Sequence, residues 1–139
     1  MSINGRCLCG AVQYNVSSEP IAKRICWCRL CQYLSAGNGT VNAMFKRTDV
    51  VIQGETRDYA SIADSGAHMH RQFCPTCGTP MFGYAEERAH LLVVRVGTMD
   101  NPSACPPTTT IWTSQAPSWA CINNTLPQIE GQPSPPPTS

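Results

Sequence analysis

Apolar and polar positions along this chain alternate over short stretches and do not recur every three or four residues. Ala11 to Val16 (AVQYNV) alternates cleanly, Gly39 to Phe45, Val50 to Gln53 and His68 to Phe73 less so. His90 to Val96 (HLLVVRV) is a nearly continuous apolar run rich in β-branched residues. A period of two predicts strands, and the apolar run is the most strand-like stretch of all. Gln53-Gly54-Glu55, Asp64-Ser65-Gly66 and Asp100-Asn101-Pro102 mark turns. Arg29 to Ser35 predicts one short helical turn, and no segment carries an amphipathic helix of useful length. The expected fold is therefore mainly β. After Gly97 the pattern fades: Asn101 to Pro117 is rich in Pro, Thr and Ser around an Ile111-Trp112 island, and Gln132 to Ser139 (QPSPPPTS) reads as a solvated proline-rich tail. These limits divide the chain into one domain over 1–125 and a tail over 126–139.

Composition narrows the function. A length of 139 residues is that of a single domain. Only 14% of residues are charged and the net charge is +1, which gives no basic patch for nucleic acid. Met1 to Asn15 has no apolar core of signal-peptide length, and nothing approaches a membrane span of about 20 apolar residues. A soluble, cytoplasmic protein without a nucleic-acid or membrane partner is expected. Its oligomeric state is open, a homo-oligomer included.

Cysteine placement changes the picture most. Seven of nine cysteines fall into Cys7-Leu8-Cys9, Cys26-Trp27-Cys28-Arg29-Leu30-Cys31 and Cys74-Pro75-Thr76-Cys77. In a reducing compartment such clusters are metal ligands or redox thiols more often than disulfides, and an odd total leaves one thiol over in any full pairing. Four thiolates close a tetrahedral zinc site and three leave a position open, so seven points to one structural and one catalytic zinc. Gly10 and Gly78 follow the first and third clusters, where a positive φ would turn backbone amides toward the sulfurs. Those two knuckles can meet in one site that ties an N-terminal strand to a later hairpin.

Gly5-Arg6-Cys7-Leu8-Cys9-Gly10-Ala11-Val12, the central cysteine group, and Phe73-Cys74-Pro75-Thr76-Cys77-Gly78-Thr79-Pro80 together resemble the glutathione-dependent formaldehyde-activating enzyme family, which also includes centromere protein V. The resemblance runs from about Gly5 to about Trp119 and takes in Val96-Gly97-Thr98-Met99-Asp100. It implies a single zinc-stabilised domain of folded-over antiparallel β-sheets. Cys7, Cys9, Cys74 and Cys77 match structural zinc ligands; Cys26, Cys28 and Cys31 match the ligands of a second, catalytic and more labile zinc. Many members carry His where this chain has Trp27. The implied activity is that of a carbon–sulfur lyase, an S-(hydroxymethyl)glutathione synthase-like enzyme acting on glutathione or another small thiol and an aldehyde such as formaldehyde. The centromere-protein branch offers the alternative, a non-catalytic zinc-stabilised binding module.

The donor set fits the first reading. Three thiolates already donate charge to the metal, so a bound water is acidified less than at a three-histidine site, whereas an added thiol is deprotonated. A fourth protein ligand would close the site instead, with Cys105, Cys121, His68, His70 and His90 as candidates, and an empty, redox-active thiol group is the other reading. Arg29 can meet a substrate carboxylate, and Gln32, Gly37 and Asn38 follow the cysteines closely enough to line a pocket. Trp119, with Trp112 and Trp27, is a candidate aromatic wall, though each also suits packing. His68 and His70 read as ordinary strand residues, and Cys105 and Cys121 as small hydrophobes.

Overall fold

The computed structural model describes residues 2–134. Among them, eleven strands and one short helix form two sheets. A three-stranded sheet runs in the order β1 (Ile3–Arg6), β2 (Gln13–Val16) and β5 (Val50–Gln53). An eight-stranded sheet runs β11 (Gln128–Ile129), β10 (Thr109–Ile111), β3 (Ala22–Cys26), β4 (Thr40–Lys46), β9 (Leu91–Arg95), β8 (Pro80–Ala85), β7 (His68–Phe73) and β6 (Arg57–Ile62). The helix, α1, is Arg29–Leu34. The mainly β fold is as expected, but the larger sheet is mixed: β10 runs parallel to both β3 and β11. No helix among the described residues is long and apolar enough to cross a membrane.

The pleat decides which residues form the core. Ala43 and Phe45 of β4, Leu92 and Val94 of β9 and Phe82 of β8 leave one face of the large sheet and meet Ile3, Val12, Tyr14 and Val16 from the small sheet. Each such fully buried Phe, Leu or Val contributes about 1.5–3 kcal/mol. The two layers approach closely at Gly5, which pairs directly with Tyr14. The Tyr14 hydroxyl shares a 2.8 Å hydrogen bond with Thr98 Oγ1, and a Cβ at position 5 would overlap both that hydroxyl and the Thr98 carbonyl. The opposite face of the large sheet carries Arg24, Cys26, Thr40, Asn42, Arg71 and Arg95 and is not part of this core.

Six strands lay outside the sequence expectation: β1, β3, β6, β8, β10 and β11. Ala22–Cys26 (AKRIC) mixes polar and apolar residues on both faces, and Pro80–Ala85 (PMFGYA) is largely apolar on both, so neither shows a period of two. β6 is an exposed edge strand whose large apolar residues, Tyr59 and Ile62, are themselves exposed, so it follows no buried face. A further correction concerns the region beyond Leu126, expected as tail. Gln128 and Ile129 pair with β10, Ser114 donates to the Glu130 carbonyl at 2.6 Å, and Trp112 Nε1 donates to Gln132 Oε1 at 2.9 Å. An unpaired β10 edge would leave backbone donors and acceptors unmet, and this segment supplies their partners. The last part of the proline-rich stretch, 135–139, lies outside the described residues.

One polar clamp holds the free edge. His70 on β7 contacts Asp58 of β6 through Nδ1 at 2.5 Å and Glu86 through Nε2 at 2.7 Å, and its ring stacks on Tyr84 at 4.7 Å. The Asp58 and Glu86 carboxylates raise the His70 pKa above its ordinary value. A pKa raised in the folded state stabilises the fold fully below the unfolded value near 6.5, and that contribution disappears as pH rises through the folded value. Denaturation midpoints should therefore fall between pH 6 and pH 8 by more in the native protein than in Asp58→Asn. Separately, Gly5→Ala should lower stability by about 1–3 kcal/mol, read from urea denaturation, through overpacking at Tyr14.

Candidate metal centres and cavity

The first centre forms where two turns meet. Cys7 and Cys9 follow β1, in a turn closed by Cys7 N donating to the Val12 carbonyl at 2.9 Å. Cys74 and Cys77 occupy the turn between β7 and β8, closed by Cys74 N donating to the Thr79 carbonyl at 3.0 Å. Gly10 and Gly78 take φ of +83° and +76° at matching places. Their amides bond the carbonyls of Cys7 and Cys74, not sulfur as expected. The amides that do reach sulfur are Val12, 3.3 Å from Cys7 Sγ, and Thr76 and Cys77, 3.4 and 3.5 Å from Cys74 Sγ.

All four sulfurs lie within 4.8 Å of one another, with Cys7 to Cys9 at 3.6 Å and Cys9 to Cys74 at 3.8 Å. A tetrahedron with zinc–sulfur bonds of about 2.3 Å has edges of about 3.8 Å, so the donors already have the spacing zinc needs. The Thr79 hydroxyl, 3.1 Å from Cys77 Sγ, and the amides of Cys9 and Thr79 bring the Cys77 pKa down to about 5. A thiolate is therefore favoured before any cation arrives.

The second centre gathers Cys26 from the end of β3, Cys28 at the N-cap of α1 and Cys31 in its first turn. Cys31 N donates to Cys28 Sγ at 3.3 Å, which sets the helix start and the direction of both thiols. The three sulfurs lie within 4.8 Å of one another and all three residues are buried. Hydrogen bonds from the Cys26 and Cys28 thiols, helped by the Thr40 hydroxyl and the Arg95 charge, bring Cys31 down to about 2. The same sharing pushes Cys26 and Cys28 up. Negative charge in the trio is thus favoured on Cys31. A divalent cation would replace the thiol protons and take all three as thiolates.

The trio borders a cavity of about 150 Å³ on the polar face of the large sheet. Arg24, Arg71 and Arg95 form its floor; Trp112, Gln132 and the Asp64 turn form its rim. None of Arg29, Gln32, Gly37, Asn38 and Trp119 lines it. Arg29 bonds Gln32 Oε1 at 2.6 Å and sits 5.1 Å over the Tyr33 ring. Gln32 is buried and donates to the carbonyls of Trp27 and Gln115 at 2.8 and 3.0 Å, which fastens α1 to the turn beyond β10. Gly37 and Asn38 close the turn before β4, and Trp119 is 66% exposed. Trp27 is buried and does not line the cavity. Sequence reasoning missed the arginines. Their signal was strand alternation from the cysteines, since Arg24 lies two residues before Cys26 and shares its face.

Comparison with known proteins places this architecture. A Rhodobacter sphaeroides protein of known crystal structure has the same fold, at a TM-score of 0.57, with 23% identity over 73% of this chain and 93% of that one. No curated protein sequence matches the chain. The family model described as glutathione-dependent formaldehyde-activating enzyme matches residues 2–115, which include all seven clustered cysteines and the strands that position them. The chain therefore belongs to the glutathione-dependent formaldehyde-activating enzyme family.

Proposed function

We propose that the protein is a zinc-dependent carbon–sulfur lyase that joins a small thiol, glutathione or a relative of it, to an aldehyde such as formaldehyde, and splits the adduct in reverse. One observation carries this reading: three buried thiols converge beside a cavity, and no fourth Cys, His, Asp or Glu among the described residues joins them. Cys105 is buried in the core on the other face of the sheet, and His70 is held by Asp58 and Glu86. Three protein ligands are the donor set of a zinc site with an exchangeable position.

Cys26, Cys28 and Cys31 would hold a zinc ion there, which would supply an electrophilic position suited to a thiolate. The chain does the rest. Cys26, Cys28 and Cys31 fix that position at the cavity wall. Thr40 and Arg95 favour negative charge on sulfur, as they do for Cys31. The apolar side of the cavity, from Met44, Met69, Val93 and Ile111, excludes bulk water and strengthens those interactions. In the forward direction sulfur bonds to the carbonyl carbon, the carbonyl π pair moves to oxygen, and the proton released by the thiol ends on that oxygen. The four-thiolate centre has no ligand to exchange and serves the fold. A cytoplasmic setting, where thiols stay reduced, suits both centres.

In an equilibrium mixture of formaldehyde and glutathione, the zinc-loaded protein should speed interconversion of free and adduct signals in exchange NMR, in proportion to protein added. No acceleration at any concentration would leave the alternative, a non-catalytic zinc-stabilised binding module. Cys28→Ser should abolish the acceleration, remove one of two zinc ions per chain and keep cooperative unfolding, whereas Cys77→Ser should lose that cooperativity. Equal unfolding of both variants would make both centres structural.

A further inference from the structure

The cavity floor is basic to a degree that chemistry at sulfur alone does not require. Strand register sets Arg24 of β3, Asn42 of β4 and Arg95 of β9 directly opposite one another in one row. The next row along β3 and β4 is Cys26 and Thr40, about 6.7 Å away at two residues per repeat. Arg71 of β7 shares the same face; it pairs with Gly83, which pairs with Val93. Gly83 gives the guanidinium of Arg95 its room, since a Cβ there would meet Arg95 Nη2 at 3.3 Å.

These cations are not neutralised by the protein. Arg95 donates through Nη1 to Asn42 Oδ1 at 2.5 Å, while its buried Nε has no partner. Arg71 donates to the Ser61 hydroxyl at 2.7 Å. Among the described residues no arginine makes an ion pair with a carboxylate; the ion pairs there all involve His68 or His70. The cavity wall holds four arginines, Arg88 being the fourth, against one carboxylate, Asp64. Three thiolates on a divalent cation add one net negative charge. Two positive charges then remain. A substrate thiolate takes up one, and the other is free for an anion elsewhere in the cavity. Guanidinium groups that line one cavity with unfilled donors and no carboxylate partner are stabilised by an anion among them.

We propose that Arg24 and Arg95, in the row next to the thiols, and Arg71, one row further along the sheet, form an anion subsite that seats a carboxylate of the reactant, so that acidic reactants are chosen over neutral ones of equal size. The inference rests on the open three-thiolate centre described above. The spacing suits a thiol whose carboxylate lies a few bonds from sulfur, and guanidinium forks match carboxylate geometry.

The test uses cobalt(II) in place of zinc, read by the thiolate-to-cobalt absorption during titration with 3-mercaptopropionate and with its neutral counterpart 2-mercaptoethanol. The native chain should bind the acid about tenfold more tightly. That ratio should fall to about twofold in Arg71→Met and in Arg24→Met, and Arg71→Lys should keep part of it, because charge without the fork is retained. A merely structural role would weaken both thiols together and leave the ratio intact. Exchange NMR with 2-mercaptoethanol as the thiol then compares glyoxylate with formaldehyde. A preference for glyoxylate that the arginine variants lose assigns the carboxylate to the carbonyl reactant and supports the subsite. If 2-mercaptoethanol perturbs the cobalt spectrum but neither acidic reactant is preferred, the subsite is wrong and the open centre stands. If neither thiol perturbs it, the open centre is wrong and the subsite falls with it.

Discussion

A pleated strand sends successive side chains to opposite sides, and a chain of this size has enough apolar residues to cover one side of its large sheet. On that side Phe45, Phe82, Leu92 and Val94 pack against the small sheet. The other side is left to residues that must be both held rigidly and reached by solutes. Strands are suited to that task because their backbone hydrogen bonds fix side-chain direction without requiring apolar contacts on the second face. Cys26 inherits its position from β3, and through it so do the helix and the two further thiols.

Charge then has to be managed in a space partly closed to water. Thiolates and guanidinium groups are each costly to desolvate alone and less so together. Here they are adjacent but not paired one to one: Arg95 lies near Cys31 and favours its ionised form, while Asn42 and Ser61 take up single guanidinium donors. The four-thiolate centre solves the same difficulty differently. It sits in tight turns whose backbone amides point at Cys7 and Cys74, so the peptide groups themselves disperse negative charge.

How much of this the sequence carries depends on how local each cause is. Both cysteine centres were legible, because knuckle spacing is a property of a few consecutive residues and sulfur donors in that spacing have few other uses. The central strands β4, β7 and β9 were legible from alternation or apolar runs. The pocket was not. Gln32 looked like a lining residue by proximity to Cys31, yet its amide is occupied by two carbonyls that only the fold brings near. Arg24, Arg71 and Arg95 come from strands far apart in the chain and meet only through register. Trp112 and Gln132 meet over the cavity because the segment after Leu126 returns to the β10 edge, a pairing that a proline-rich composition conceals.

The two sets of thiols also differ in the time at which each exists as a set during synthesis. Cys26, Cys28 and Cys31 leave the ribosome within six residues of one another, so a cation can be held there while most of the chain is still unmade. Cys7 and Cys9 must wait for Cys74 and Cys77, and the rim over the cavity waits longer still, for Gln132. The three-cysteine centre is thus the first to be able to take metal and the last to be covered. Until Gln132 has been made and has reached Trp112, these three sulfurs lack the rim that borders their cavity, and the growing chain offers them to metal and oxidant alike.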